Sequence, residues 1–218
     1  SHGVNYALNE KLAYHPLRDF EPVISLATVP NVLVVRSETP YRSLAEVIAA
    51  AKAAPGKLTH GSTGIGASPH LTLEYLKMIA KVDITDVRYK GSAPAMTDLL
   101  GGQVTMCFDG VATSIPHIKA GKLRPLAVSS RTRVKALPDV PAMAETYEGF
   151  DVTAWYGLWA PAGTPAEAVR KLNAEIDAIL RMPDIQARMA DLGAELMGGS
   201  VESFAAYHKR EFERWVAF

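Results

Sequence analysis

Residues His60–His70, HGSTGIGASPH, place three glycines, two serines and a threonine within eleven residues and run straight into LTLEYLKMIA. Glycine reaches backbone conformations closed to other residues and lets a ligand approach the main chain. If a helix begins here, its first amides lack intrahelical partners and carry roughly half a positive charge. Chemistry of this kind holds a carboxylate or a phosphate through backbone N–H groups and hydroxyls. The plain alternative is a tight turn, in which Gly64 and Gly66 serve the backbone and Ser68 caps a helix. Three rival motifs fail. A Walker A loop ends in Gly-Lys-Ser/Thr where this chain has Ser-Pro-His. The third glycine of a dinucleotide fingerprint would fall on Pro69. A nucleophile elbow needs GxSxG, and GSTG is one residue short.

Other groups that could do chemistry lie in polar turns further on: Lys90–Ala93, Asp109–Ser114 and Ser129–Thr132. Asp109 follows the apolar VTMCF, so it either meets a ligand ammonium or hydroxyl or caps the next helix. His70 lies near the start of its helix. It either donates to a bound anion or is an ordinary surface or packed histidine. Ser62, His70 and Asp109 make a conceivable triad, but the turn signature is wrong for it and catalysis is not expected. The single cysteine, Cys107, lies mid-strand as a small buried hydrophobe and permits no intramolecular disulfide. The six histidines show neither HxH nor HxxH spacing, so neither a metal nor a cofactor is expected. Trp155, Tyr156 and Trp159 are read as core or hinge packing.

These turns need elements to position them. VISLATVPNVLVVR reads as extended structure interrupted at Pro30 and Asn31. SLAEVIAAAKAAPGK reads as a helix with Ser43 as N-cap, Glu46 completing a capping box, and Pro55–Gly56 as the stop. A repeated beat follows, with strands at 58–62, 84–89, 104–108 and 123–128, each leading into a polar turn and the first three into helices. That spacing predicts right-handed βαβ units and a mostly parallel sheet. Ligands of such sheets bind beyond the carboxyl ends of the strands, so the four polar turns should converge on one edge. Residues 1–22 read as irregular. FDVTAWYGLWAPAGTP reads as a second extended stretch, after which Thr164 caps a helix over 165–180. Pro183 opens another helix, and 201–216 forms a last amphipathic one.

Bulk properties narrow the function. The 218 residues suit one large domain or two lobes with a sizeable core. Lys plus Arg equals Asp plus Glu at 23 each, without a basic run, so nucleic acid is not expected as a partner. The longest apolar run, Val23–Val35, is too short to span a bilayer. The first residues, SHGVNYALNEK, lack the basic-then-apolar order of a signal peptide.

Taken in order, DFEPVISLATVPNVLVV, HGSTGIGASPHLTLEYL, VRYKGSAPAMTDLLGGQV, FDG, PHIKAGKLRPLAVSS, RVKALPDVPAMAE, WYGLWAPAGTP and LGAELMGGSVESFAAY resemble the Bug or TctC family. These are the extracytoplasmic solute-binding receptors of tripartite tricarboxylate transporters. The resemblance implies an α/β, type II periplasmic-binding fold, with two lobes of mostly parallel sheets joined by hinge strands. Lobe one would be residues 1–31 and 151–218, and lobe two the inserted residues 32–150. It implies a periplasmic receptor that takes a di- or tricarboxylate, an amino acid or an aromatic acid into an interlobe cleft and presents it to membrane permease subunits. It implies no catalysis. Ser62, Thr63, Gly64, Ile65, Gly66 and Ser68 would form one cradle, and Lys90, Gly91, Ser92 and Ala93 its neighbour. Asp109 would face the distal end of the solute, and Ser1 and His2, in SHGVN, would also face it. The family's signal peptide, first strand and first ligand loop have no counterpart here, so lobe one is expected to be N-terminally incomplete. The alternative is a ligand-sensing effector module of a regulator with the same fold.

Overall fold

A computed structural model describes residues 2–8 and 11–217. Its elements in order are α1 (His2–Leu8), β1 (Phe20–Arg36), α2 (Leu44–Ala53), β2 (Thr59–Ser62), α3 (Ser68–Ala80), β3 (Thr85–Arg88), α4 (Ser92–Leu100), β4 (Met106–Gly110), α5 (Val111–Lys119) and β5 (Leu123–Val128). After a 3-10 turn at Met143–Glu145 come β6 (Thr153–Pro161), α6 (Ala166–Leu180), α7 (Pro183–Asp191), β7 (Glu195–Leu196) and α8 (Val201–Ala217). The chain forms two compact units. One comprises the described residues up to Thr28 together with those from Trp155 onward; the other is Val29–Ala154.

In the second unit the strand order is β3-β2-β4-β1-β5. β2 pairs parallel with β3 and β4, as the repeated strand-helix beat predicts. β1 is antiparallel to both β4 and β5, which the beat alone does not reveal. Val32, Leu33, Val34 and Val35 are all fully buried. This sheet is covered on both faces, which explains an unbroken apolar run instead of an alternating one. On one face Val32 and Val34 pack with Ala95, Met96 and Leu99 of α4, Val111 of α5, and Cys107. Burial pushes the Cys107 thiol up to about 12, so it stays protonated and acts as an apolar group.

β1 runs unbroken through Pro30, where the sequence suggests an interruption. Its Ala27–Thr28 pairs with β7, whereas Asn31–Arg36 pairs with β4 and β5. Pro30 lies between these ladders, where its missing N–H costs little. Ser43 caps α2 by accepting from the Glu46 amide at 3.2 Å. Glu46 reaches back one residue further than a capping box requires, to the Arg42 amide.

In the first unit the early part of β1 pairs with β6 and β7. Val23, Ile24, Ala160 and Val169 form its core with Leu26, Leu158 and Ile176. Residues 2–8 are helical, against the irregular reading. Tyr6 lies 5.2 Å from the Phe212 ring of α8, and this packing supplies what local propensity does not. Thr164 does not cap α6: its hydroxyl donates to the Pro161 carbonyl at 2.7 Å, and Pro165 holds the cap position. No helix among the described residues is long and apolar enough to cross a membrane.

Candidate functional site

Because β2, β3 and β4 are parallel and β5 runs with β4, the turns after all four leave the same edge of the second unit. Three of these turns open helices, α3, α4 and α5, and none has a side-chain cap on its first amides. Gly64 and Gly66 take φ of +120° and +76°, and Gly91 takes +111°. Those conformations strain any residue bearing a Cβ. A Cβ built on Gly64 or Gly91 meets nothing within 4 Å, so both glycines border open space. Uncapped helix starts beside accessible glycine backbone suit an oxyanion.

The structure therefore brings Thr63, Gly64, Ile65, Gly66 and Ser68 together with Lys90, Gly91, Ser92, Ala93 and Asp109 on one edge. Ile65 and Lys90 are exposed there, whereas Ser62 and Asp109 are buried. Ser1 lies outside the described residues. His2 is the first residue of α1, in the first unit, and its side chain is outside the described part.

Hydrogen bonds assign the side chains finer roles than their positions suggest. The Ser62 hydroxyl donates to Asp86 Oδ2 at 2.9 Å, so it braces the turn from beneath. Asp109 Oδ2 accepts from Ser92 Oγ at 2.7 Å and Thr113 Oγ1 at 2.6 Å. Ser92 and Thr113 lie in the first turns of α4 and α5, so Asp109 ties the two helix starts together. His70 Nδ1 accepts from the Gly66 amide at 3.5 Å, a long contact that closes the glycine turn.

Under this edge lies a polar group that sequence reading passed over. His60 is fully buried; its Nε2 accepts from the Phe108 amide at 2.9 Å and its Nδ1 lies 3.2 Å from Asp86 Oδ1. A nitrogen that accepts an amide hydrogen carries none, so Nδ1 holds the proton and donates it to Asp86. Burial drives the His60 pKa down, against the raising effect of the Asp86 contact. Burial works to raise the Asp86 carboxyl, but hydrogen bonds from His60 and Ser62 outweigh it and hold the carboxyl below its ordinary value. The resting pair is neutral imidazole and carboxylate. Ser62 and His60 both bond to Asp86, and neither His60 nitrogen faces Ser62, so this trio is no nucleophile-base relay. Among the described residues, no group of three His, Cys, Asp or Glu is placed to hold a metal.

Ser62→Ala should cost about 1.5–3 kcal/mol of stability by removing a hydrogen bond to a charged group. It should leave the response to a bound carboxylate unchanged within twofold. Denaturant unfolding and ligand titration check both halves; a large loss of affinity at full stability would make Ser62 a solute contact.

Asn31 was also missed. It is buried at the same edge, where Nδ2 donates to Thr72 Oγ1 at 3.0 Å and Oδ1 accepts from Ser68 Oγ at 3.3 Å. The available signal was a polar residue inside the apolar run TVPNVLVV. A buried amide in such a run must be hydrogen-bonded.

Two α/β units, with uncapped helix starts on a sheet edge of the second, make up the type II periplasmic-binding fold of a solute receptor. The family model for the tripartite tricarboxylate transporter family receptor, TctC, matches residues 4–218, and the chain belongs to that family. The "UPF0065 protein in tcbD-tcbE intergenic region" of Pseudomonas sp. is 41% identical over 207 residues, covering 94% of this chain and 62% of its own length. BugT of Bordetella pertussis is 32% identical over 214 residues, 98% of this chain and 66% of its own. The chain thus spans about three fifths to two thirds of these relatives. Among solved structures, R. palustris Rpa4515 with adipate superposes with a TM-score of 0.89 at 37% identity, covering 99% of this chain and 73% of its own. MatC from Rhodopseudomonas palustris, with bound malate, gives 0.84 at 33% identity, covering 99% of this chain and 75% of its own.

Proposed function

We propose that this chain is part of a periplasmic receptor that captures a small carboxylate-bearing solute and presents it to the membrane permease subunits of a tripartite tricarboxylate transporter. The observation that carries the reading is the convergence of three helix starts without side-chain caps on one sheet edge, beside glycines bordering open space. The amides of Thr63, Gly64, Ile65 and Ser68 and of residues 91–93 hold one carboxylate, with the Thr63 hydroxyl as a further polar contact, while the Gly66 and Ala67 amides and the Ser68 hydroxyl are taken by the turn's own bonds. Ser62 and Asp109 shape the cradle from behind. No bond is made or broken. Adipate and malate, bound to the two similar proteins, support a dicarboxylate as the first solute class to try. Neutral amides select the carboxylate group rather than what it is attached to, so amino acids and aromatic acids belong in the same panel.

A thermal-shift screen tests this. A solute at about a hundred times its dissociation constant should add about 2.7 kcal/mol. For a chain of this size the melting midpoint should rise by roughly 5–10 °C. The screen should include adipate, malate, citrate, acidic amino acids and aromatic acids, with matched uncharged amides as controls. A selective rise supports a carboxylate receptor; a cooperative melt that no carboxylate moves overturns it.

A further inference from the structure

Asn31 makes more hydrogen bonds than a buried strand residue needs. Its side chain takes the Ser68 hydroxyl at 3.3 Å and gives to Thr72 Oγ1 at 3.0 Å, both on the first turns of α3. Thr72 Oγ1 in turn donates to the Ser68 carbonyl at 2.7 Å. The Thr72 proton is therefore committed, and its oxygen can only accept from Asn31. This fixes the orientation of the Asn31 amide. Only a side chain that is donor and acceptor in one plane satisfies both hydroxyls. Neither aspartate nor leucine does so.

The Asn31 main chain continues the chain of bonds. Its N–H donates to Ser129 Oγ at 2.9 Å, and its carbonyl accepts from the Ser129 amide at 2.8 Å. Ser129 Oγ donates onward to the Val152 carbonyl at 2.6 Å, and the Val152 amide returns a bond to the Ser129 carbonyl at 3.0 Å. Asn31 and Ser129 are both buried. The chain passes between its compact units at Thr28–Val29 and at Ala154–Trp155. Asn31 and Val152 lie just inside the second unit at those two crossings. One continuous set of hydrogen bonds thus joins the start of α3 to both crossing segments.

We propose that Asn31 is a positioning residue of the solute site, fixing the first turn of α3 to the two segments through which the chain enters and leaves the second unit. The proposal rests on reading that turn as part of a carboxylate cradle. A solute that orders the α3 start then also orders Val152, although Val152 lies far along the chain, just before β6. A role confined to satisfying buried polar groups predicts no such linkage.

Hydrogen exchange on the whole chain, with adipate, malate and citrate as probes, tests it. Without ligand, Asn31→Ala should speed exchange together in peptides covering 66–72 and 150–153, leaving β3 unchanged. With a bound probe, the wild type should gain protection in both segments. Asn31→Ala should weaken that probe at least tenfold and abolish the added protection at 150–153. Ser129→Ala, which leaves the α3 residues intact, should likewise abolish it, and it serves if Asn31→Ala fails to fold. Protection at 66–72 without any at 150–153 in the wild type leaves the carboxylate reading standing and overturns the proposal. So does a variant that melts earlier but keeps its affinity and its paired protection. If no probe protects the wild type anywhere, the carboxylate reading fails and the proposal falls with it.

Discussion

Acidification should destabilise this protein from near pH 6.5 downward, and His60 should be a principal cause. Its folded pKa lies below the ordinary 6.5, because burial opposes protonation more strongly than the Asp86 contact favours it. Below pH 6.5 the unfolded chain takes up a proton at this site while the folded chain does not. The stability from neutral His60 is therefore complete above pH 6.5 and is lost as pH falls toward the folded value. One such site contributes a slope of up to about 1.4 kcal/mol per pH unit in that window. Asp86, also held below its ordinary value of 3.8, adds a second loss at more acidic pH. His60→Gln should flatten the profile between pH 7 and 5. His60→Ala should cost about 3–4 kcal/mol at pH 7.5, because it leaves a cavity and orphans the Phe108 amide. Urea unfolding across pH decides the matter. Parallel profiles for wild type and His60→Gln would show that His60 does not carry the effect.

Gly157→Ala should be about as damaging, in the other unit and through sterics alone. A Cβ at Gly157 would overlap Phe204 Cζ and lie 2.8 Å from Cε2. Phe204 cannot step aside. It is 1% exposed, with Trp159 at 5.0 Å and Trp155 and His208 each at 6.2 Å between ring centres. Overpacking a filled aromatic cluster costs about 3 kcal/mol. That corresponds to a fall of roughly 10 °C in melting midpoint for a chain this long. Phe204→Leu alone should also destabilise, by loss of packing. The double variant should lose clearly less than the two single losses combined, since the smaller side chain vacates the overlapped space. A Gly157→Ala protein melting within about 2 °C of wild type would refute the packing argument.

Local chemistry made much of this fold legible from the residues. The repeated strand-turn-helix beat gave β2 to β5 and α3 to α5, because hydrophobic periodicity and glycine-proline punctuation act over a few residues. The glycine turn at 64–66 was legible because left-handed conformations select glycine. Parallel strand order then implied one edge for the four polar turns without any knowledge of contacts. Which polar side chains reach the sheet edge and which are tied up beneath it depends on long-range contacts. Ser62 looked like a ligand contact in GSTGIGAS, yet its hydroxyl is taken by Asp86, 24 residues away. Asp109 looked equally suited to a solute or a cap, and two hydroxyls from different helices engage it. Asn31 looked like a break in a strand and is the junction of the edge. Its partner Ser129 lies 98 residues along the chain. Hydrogen-bond partners this distant leave no periodic trace in a sequence, because folding chooses them by proximity in space.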